Sequence, residues 1–280
     1  MLPTRDSAAR DLLPAGARLT TDEFARISAF LLDRTGIELR PGKEAMVAGR
    51  LERRLRHHGI TTYAEYAQLL SSGDPEETRI AVDLLTTNET YFYRESAHFE
   101  FLADVLRDRP PQPPVRIWSA ASSSGEEACT IALTLAHTLP ARNWEIIGTD
   151  ISSRMVETAQ RGLYPIDAAQ KIPLDILKRF CLRGRDEYEG YFTIESALRQ
   201  RIRFLTANLL EPVGHLGAFD VVFLRNVMIY FGLDTKRAVV DRIAGTLRPG
   251  GYLIVSHSES LKELGSTLEL ISPSIYRKAA

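Results

Sequence analysis

Five short apolar runs alternate with helical patterns beyond residue 114 of this 280-residue chain. The runs are VRIWSA, WEIIGTD, RIRFLTA, FDVVFLR and GYLIVSH, and helical stretches such as GEEACTIALTLAHTL lie between them. Near-continuous apolar strands separated by helices indicate a parallel sheet that is covered on both faces. The sequence therefore predicts an α/β domain over residues 115–280.

The segment before these strands carries only helical patterns. Thr20 and Glu23 form a capping box, and Gly36 suits the end of the helix that follows. Further along, Asp74 precedes a proline at the first position of another helix. We expect a small all-helical domain over residues 19–86.

Two other stretches suit neither pattern. Residues 1–18 are rich in Ala, Arg, Asp and Pro and are expected to form a flexible tail. The run RPPQPP, residues 109–114, is a proline-rich hinge at the end of a predicted linker, residues 87–114.

Composition narrows the class of protein. The net charge is -1, so there is no general basic excess for nucleic acid, and 44% of residues are hydrophobic. Cys129 and Cys181 have no redox or metal-ligand spacing, and six scattered histidines form no zinc pattern. No apolar run reaches the ~20 residues of a membrane span, and no signal-peptide core is evident. We expect a cytoplasmic, monomeric, metal-free protein without membrane insertion.

The turn after the first strand is built from small residues. Ser122 to Gly125 allow close approach of the backbone to a ligand, and a helix begins beside them. The pattern is not G-x-G-x-x-G, and the Glu126–Glu127 pair would repel a pyrophosphate. It suits a cationic or zwitterionic ligand, although a simple strand-to-helix turn is the alternative.

Asp150 ends the second strand, where an acid can accept both hydroxyls of a ribose. Its alternative role is to cap the helix that starts near Ser152. With the small-residue turn, Asp150 favours a nucleoside ligand without an exposed phosphate. S-adenosylmethionine fits that description.

Polar residues also follow the third and fourth strands. Asn208 is placed to bond an adenine edge or to form a turn. Arg225 and Asn226 follow the run FDVVF, and Arg is seldom buried without a partner. Tyr230 is a candidate pocket wall.

Six motifs then carry a resemblance to a known family. In order, TTNETYFYRE, WSAASSSGEEACTIAL, GTDIS, NLLEP, FLRNVMIYF and SHSESL resemble those of the chemotaxis receptor methyltransferases, the CheR family, from about residue 20 to 275. The resemblance implies a Rossmann-like class I methyltransferase sheet with a helical N-terminal domain and a small inserted β-subdomain. It implies transfer of a methyl group from S-adenosylmethionine to glutamates on the cytoplasmic helices of chemoreceptors, leaving S-adenosylhomocysteine.

The resemblance also assigns roles by motif. It places Glu127 at the amino-acid end of the donor, Asp150 at the ribose and Tyr230 near the transferred methyl. It implies catalytic roles for Arg94, Arg225 and Tyr230. The implied cofactor-binding residues are Asn88, Thr90, Arg94, Glu127, Asp150, Asn208, Leu209, Arg225 and Asn226. The first motif, TTNETYFYRE, would fold over the donor as a linker.

Residues 182–204 fall where the family inserts its β-subdomain. Some members use that subdomain to dock the C-terminal peptide of a receptor through a glycine-rich loop. Here Gly184 is followed by Arg185 and Asp186, so docking of the receptor tail is left open.

A basic stretch in the helical domain suggests a substrate surface. Between Arg40 and His58 there are six Lys or Arg against two Glu, and several basic residues follow helical spacing. An acidic receptor helix would favour such a surface, whereas a solvated basic face is the alternative. The predicted substrate-binding residues are Arg50, Arg53, Arg54 and Arg56.

Several other functions are compatible with parts of this sequence. A non-catalytic S-adenosylmethionine-binding module would use the same pocket, and a methyltransferase for another protein or a small molecule would share the sheet. Enzymes that methylate nucleic-acid amino groups usually carry Asn/Asp-Pro-Pro-aromatic where this chain has Arg225 to Met228. A nicotinamide enzyme is disfavoured by the missing G-x-G-x-x-G.

Overall fold

The described part of the chain comprises residues 18–107 and 114–280 of a computed structural model. These residues divide into two compact units with a boundary between Thr86 and Thr87. We call them the helical unit and the sheet unit. All of the predicted tail except Arg18, and all of the predicted hinge except Pro114, lie outside the described residues.

The helical unit consists of four helices with the predicted caps. Thr20 and Glu23 form the predicted capping box, and Thr62 with Glu65 forms a second one. Asp74 accepts the N–H of Glu76 at 2.9 Å, as expected of a cap ahead of proline. The helices are α1 Thr21–Thr35, α2 Glu44–His58, α3 Tyr63–Ser71 and α4 Pro75–Leu85.

A carboxylate holds the helices of this unit together from inside. The Glu77 side chain is only 2% exposed and accepts hydrogen bonds from Arg54 on α2 and Tyr66 on α3. His58 Nε2 lies 2.8 Å from the same carboxylate. Burial alone would raise the pKa of Glu77, but the bonds from its partners outweigh burial and lower the pKa to about 2.

The sheet unit alternates strands and helices as predicted, although its last strands were missed. Its elements are α5 Ala97–Arg107, β1 Val115–Ser119, α6 Glu126–Thr138, β2 Trp144–Asp150, α7 Ser153–Arg161, β3 Tyr164–Pro165, α8 Leu174–Phe180, β4 Cys181–Arg183, β5 Tyr191–Ile194, α9 Ser196–Arg199, β6 Ile202–Thr206, β7 Phe219–Leu224, α10 Leu233–Thr246, β8 Leu247–Val255, β9 Glu269–Ser272 and β10 Ile275–Arg277.

The main sheet has seven strands in the order β6-β2-β1-β7-β8-β10-β9. The first five in this order are parallel, whereas β10 pairs antiparallel with both β8 and β9. The five predicted strands form the parallel part of the sheet, and β9 and β10, which the apolar runs did not reveal, add an antiparallel edge. From β1 the chain adds β2 and then β6 on one side of the sheet, and β7 then lies on the other side of β1. The strand order therefore reverses between β1 and β7. Ligands of such sheets bind at this switch point, beyond the carboxyl ends of the strands.

A separate three-stranded antiparallel sheet has the order β3-β5-β4. It includes residues 164–165, which precede the predicted subdomain range of 182–204, and β6 at the end of that range belongs to the main sheet. The small sheet is joined to the sheet unit's core by Phe192, which is fully buried with Tyr164.

Within residues 18–107 and 114–280, no helix combines the length and the apolar character that a membrane crossing requires.

We predict that Glu77→Ala lowers the free energy of unfolding at pH 7 by about 3 kcal/mol, because it leaves the buried partners of the carboxylate unsatisfied. Glu77 has a lowered pKa, so its ionised form stabilises the fold above the ordinary carboxyl pKa of 4.5. That stabilisation is lost as the pH falls from 4.5 towards 2.

Urea denaturation at a series of pH values measures both effects. The matched control is Glu76→Ala, which removes an exposed carboxylate from the same helical turn and should cost less than ~1 kcal/mol. Equal losses for the two variants, or a gap that does not shrink below pH 4.5, would contradict the role given to Glu77.

Candidate active site

A buried arginine lies at the switch point of the main sheet. Arg225 directly follows β7, and its side chain is 1% exposed. Its Nη1 donates to Glu127 on α6 at 2.8 Å, and its Nη2 lies 3.4 Å from Glu95. The same Nη2 donates to the carbonyl of Arg94. One guanidinium therefore ties the end of β7 to the start of α6 and to the segment before α5.

The charges around Arg225 do not cancel. Two carboxylates, Glu95 and Glu127, face one guanidinium. Burial acts to raise the pKa of Glu95, but Arg225 and nearby hydrogen-bond donors outweigh it and lower that pKa. The cluster carries a net negative charge at neutral pH and favours a cationic ligand. The Nε of Arg225 is buried with no hydrogen-bond partner in the described structure, so it can donate to a bound carboxylate.

Asp150 lies at the carboxyl end of β2 with both oxygens oriented by backbone groups. Its Oδ2 accepts the N–H of Ser123 at 2.8 Å, and its Oδ1 accepts the N–H of Ser152 at 2.9 Å. Ser152, not Asp150, caps α7 by accepting the N–H of Met155. The alternative role of Asp150 as the helix cap was therefore wrong. A carboxylate at this strand end can accept the hydroxyls of a ribose.

The acidic pair after the small-residue turn splits into two environments. Glu127 accepts from Ser119 at 2.7 Å and from Arg225, whereas Glu126 accepts from Ser124 at 2.7 Å. Burial raises the pKa of Glu126. Glu127 is thus the one that belongs to the charged cluster at the switch point.

Gly125 serves packing and backbone conformation at this turn. Its φ of 98° lies in the left-handed region, and a Cβ there would come within 2.9 Å of both Ala159 and Tyr164. The glycine lets α6 start close beneath the strand ends.

The three consecutive aromatics of TTNETYFYRES have separate environments. Phe92 is fully buried, 5.0 Å from the ring of Tyr164 and 5.5 Å from that of Phe192. Tyr93 is half-buried against the sheet unit's core, and Tyr91 is 42% exposed. Phe92 therefore anchors the segment to the small sheet, which explains why an aromatic occupies that position.

The anchored segment runs along the strand-end turns of the same unit. The carbonyl of Asn88 accepts from Ser123 Oγ at 2.9 Å, beside the backbone group that orients Asp150. The N–H of Tyr93 donates to Thr130 on α6 at 3.2 Å. Arg94 donates to the carbonyl of Glu89 at 2.9 Å and is half-buried, as is Thr90.

Asn208 and Leu209 follow β6 at the same sheet edge. Asn208 Oδ1 accepts the N–H of Leu210 at 3.0 Å, which is the turn geometry weighed as its alternative. Leu209 is buried, and its carbonyl accepts from Arg242 on α10 at 2.6 Å. Contact of either residue with adenosine stays a prediction.

The turn after Arg225 carries the last two predicted residues. Asn226 has a left-handed φ of 58°, and its Nδ2 donates to Ser256 at 2.8 Å. Tyr230 is half-buried at the end of a 3₁₀ turn, Met228–Tyr230. The N–H of Asn226 donates to Glu259, a buried carboxylate in the motif SHSESL to which the sequence assigned no role.

A cluster of Glu95, His98 and His257 was also missed by the sequence analysis. Their candidate ligand atoms lie within 4.8 Å of one another. Burial lowers the pKa of His98 to about 4, so its ring is neutral at pH 7. The positive charge of Arg225, 3.4 Å from Glu95, opposes binding of a divalent cation there.

The four basic residues predicted to bind substrate differ in how they are engaged within the helical unit. Arg50 donates to the carbonyls of Leu85 and Thr86, and Arg54 pairs with buried Glu77. For these two, the alternative of a solvated basic face is wrong, because both side chains make hydrogen bonds inside the unit. Their binding of substrate stays a prediction. Arg56 pairs with Glu52 at 2.7 Å on the surface. Arg53 is exposed.

Two family models match the chain over ranges that follow its two units. The model described as "CheR methyltransferase, all-alpha domain" matches residues 22–86, and that described as "CheR methyltransferase, SAM binding domain" matches residues 88–276. With the sheet order and the strand-end site, these matches define an S-adenosylmethionine-dependent methyltransferase with an α/β fold.

Curated relatives agree over nearly the whole chain. Identity is 38% to the chemotaxis protein methyltransferase of Escherichia coli K12, over 92% of this chain and 91% of the relative. It is 36% to chemotaxis protein methyltransferase 2 of Pseudomonas aeruginosa PAO1, over 93% and 94%. It is also 36% to the chemotaxis protein methyltransferase of Klebsiella aerogenes, over 99% and 98%. The chain belongs to the CheR family, which confirms the predicted resemblance.

The strand-end residues suit S-adenosylmethionine. The buried, unpartnered Nε of Arg225 can receive a carboxylate, and the net negative cluster around it suits the positive charges of the donor. Asp150 lies at the end of β2, and its contact with the ribose stays a prediction.

We predict that Asp150→Asn weakens binding of S-adenosylhomocysteine by roughly 10- to 100-fold, because hydrogen bonds to the ionised carboxylate are lost. The new amide NH₂ would also face one of the two backbone N–H donors. Isothermal titration calorimetry gives the affinity, and Asp241→Asn, an exposed carboxylate on α10, is the matched control. Unchanged affinity in Asp150→Asn would remove the carboxylate from the binding site.

Proposed function

We propose that this methyltransferase transfers the methyl group to glutamate side chains on the cytoplasmic helices of chemoreceptors, giving glutamate methyl esters in chemotactic adaptation. The observation that carries the proposal is Arg225, buried at the switch point with an unpartnered Nε and two carboxylate neighbours. That arrangement accommodates the carboxylate and the cationic groups of one zwitterionic donor. The names of the curated relatives support chemotaxis as the process.

The chemistry that we propose is a direct displacement. S-adenosylmethionine supplies a methyl group on a sulfonium: the C–S bond breaks as a C–O bond forms to the glutamate, and S-adenosylhomocysteine leaves. The acceptor is already ionised at neutral pH because its reference pKa is ~4.3, so the reaction requires no general base.

The protein's part in that step is alignment and exclusion of water. Well-oriented reactants reach effective molarities of roughly 10⁵–10⁸ M. We assign Arg225 and Arg94 to carboxylate orientation and Tyr230 to a hydroxyl contact near the methyl group. Asn88, Thr90, Glu127, Asp150, Asn208, Leu209 and Asn226 complete the proposed donor site.

The cellular setting follows from the acceptor. Methylation of receptor cytoplasmic helices requires an enzyme in the cytoplasm, and we propose that it acts there as a monomer without a nucleic-acid partner.

A second interaction is favoured by the small sheet. Leu182, Tyr188 and Tyr191 expose 52%, 47% and 45% of their surface. A Cβ on Gly184 would come within 2.1 Å of the carbonyl of Tyr188, so this tight turn requires glycine. We propose this face for docking of a receptor C-terminal peptide.

The main proposal is tested by methylating membranes that contain a chemoreceptor with tritiated S-adenosylmethionine. Alkali hydrolyses a glutamate methyl ester to volatile methanol but leaves N-methyl groups in place. We expect most of the protein-bound label to become volatile after alkali. Label that is retained after alkali would indicate that the acceptor is a nitrogen and not a carboxylate. Binding of S-adenosylmethionine without any labelled protein would favour a donor-binding module.

A charge reversal tests the basic surface without disturbing its buried contacts. We predict that Arg53→Glu lowers kcat/KM for receptor methylation roughly 5-fold, because an exposed charge mainly affects encounter with an acidic partner. The effect should shrink as salt is raised. S-adenosylhomocysteine affinity should not change.

The matched control is Arg26→Glu, which reverses an exposed charge on α1. The same loss in both variants would show that net charge, and not the position of Arg53, matters.

A further inference from the structure

The turn that follows β7 begins with a residue in a left-handed backbone conformation. Asn226 has a φ of 58°, in a region that asparagine adopts more readily than most other non-glycine residues. The turn is further constrained by hydrogen bonds from outside it. The turn leads within four residues to Tyr230, which we placed near the transferred methyl.

Glu259 supplies that constraint from the segment after β8. Its Oε2 accepts the N–H of Ser256 at 2.9 Å and the N–H of Asn226 at 3.0 Å. Its Oε1 accepts the N–H of Ile229 at 3.3 Å. One carboxylate therefore holds both ends of the turn between Asn226 and Ile229.

Glu259 is only 9% exposed, and burial raises its pKa although the backbone N–H groups oppose that shift. A buried carboxylate is costly unless its hydrogen bonds are satisfied. Here the donors include two backbone groups of the turn itself, the N–H groups of Asn226 and Ile229. The charge is thus stabilised by the conformation that it imposes.

The turn is also linked to the charged cluster. Asn226 Nδ2 donates to Ser256 Oγ at 2.8 Å, and Ser256 Oγ donates to Glu95 at 3.0 Å. Glu95 lies 3.4 Å from Arg225. The position of the turn relative to Arg225 is therefore fixed from two directions, by Glu259 and by Glu95.

We propose that Glu259 is a positioning residue for methyl transfer: it fixes the turn between Asn226 and Ile229 and so holds Tyr230 in place for the acceptor. The inference rests on the proposed function of this site and concerns what fixes the conformation of its turn. Glu259 acts on the reaction through the turn and not by contact with the reacting atoms.

Glu259→Gln separates the two oxygens of the carboxylate. The amide oxygen can take the place of Oε2 and keep its bonds to Ser256 and Asn226, because at 2.9 and 3.0 Å they are shorter than the 3.3 Å bond of Oε1 to Ile229. The NH₂ group then faces the N–H of Ile229, where Oε1 had accepted. The bonds to Asn226 and Ser256 are retained, and the bond to Ile229, which lies next to Tyr230, is lost.

We expect kcat for receptor methylation to fall roughly 10- to 100-fold in Glu259→Gln, as for loss of a hydrogen bond to a charged group. The dissociation constant of S-adenosylhomocysteine should stay within about 3-fold of wild type, because the bonds to Asn226 and Ser256 are retained. The control is Glu263→Gln, which makes the same change at an exposed position of the same segment and should leave both quantities unchanged.

The possible outcomes distinguish a positioning role of Glu259, a purely structural role, and failure of the proposed function. Wild-type kcat in Glu259→Gln would overturn the inference while leaving the proposed function intact. Equal losses of kcat and of S-adenosylhomocysteine affinity, with a lower Tm, would reduce Glu259 to a fold-stabilising residue. If wild-type protein binds S-adenosylhomocysteine but methylates no receptor carboxylate, the proposed function fails instead.

Discussion

The ion pairs of Arg225 are the interaction on which the candidate active site depends. A guanidinium that is 1% exposed needs partners for its charge, and it finds them on α6 and in the segment before α5. Glu127 and Glu95 are far from Arg225 in sequence, so their contacts fix the geometry of three chain segments at once. Removing Arg225 would leave both carboxylates without the positive charge that compensates them, which is strongly unfavourable.

The electrostatics of this cluster also account for the ligand class. A nucleotide phosphate would meet two carboxylates against one guanidinium at the switch point and be repelled. S-adenosylmethionine carries a sulfonium and an ammonium beside its carboxylate, so it offers the opposite balance of charge. The absence of G-x-G-x-x-G in the sequence and the acidic start of α6 are consistent with this arrangement. This chain thus combines a sheet arrangement shared with dinucleotide enzymes with a different charge at the strand ends.

Much of the fold was readable because its signals are local. The capping box at Thr20 and the apolar runs of the parallel strands depend on neighbouring residues, and each was found where expected. β10 was missed because a three-residue strand at the sheet edge carries too little pattern to stand out. The start of the small sheet was missed for the same reason, since β3 has only two residues.

The site was readable only where a residue's position along a strand decides its location. Strand ends gave Asp150 and Arg225 because parallel strands bring their carboxyl ends to one edge. The sequence did not give the partners of Arg225, nor did it give Glu259, whose bonds are to backbone groups that no residue pattern records.

The basic residues of α2 also show that a sequence pattern does not reveal partners that are distant in sequence. Helical spacing correctly placed Arg50 and Arg54 near each other, but it could not reveal that Glu77 lies buried on another helix. Residue spacing describes one helix, whereas the partner of a buried charge can lie on another helix that is distant in sequence. An arginine on an amphipathic helix is therefore better interpreted as a binding residue only after the buried carboxylates of the neighbouring helices have been accounted for. In this protein that step leaves Arg53 as the exposed charge on α2 with the strongest claim to an acidic partner, since Arg56 already faces Glu52.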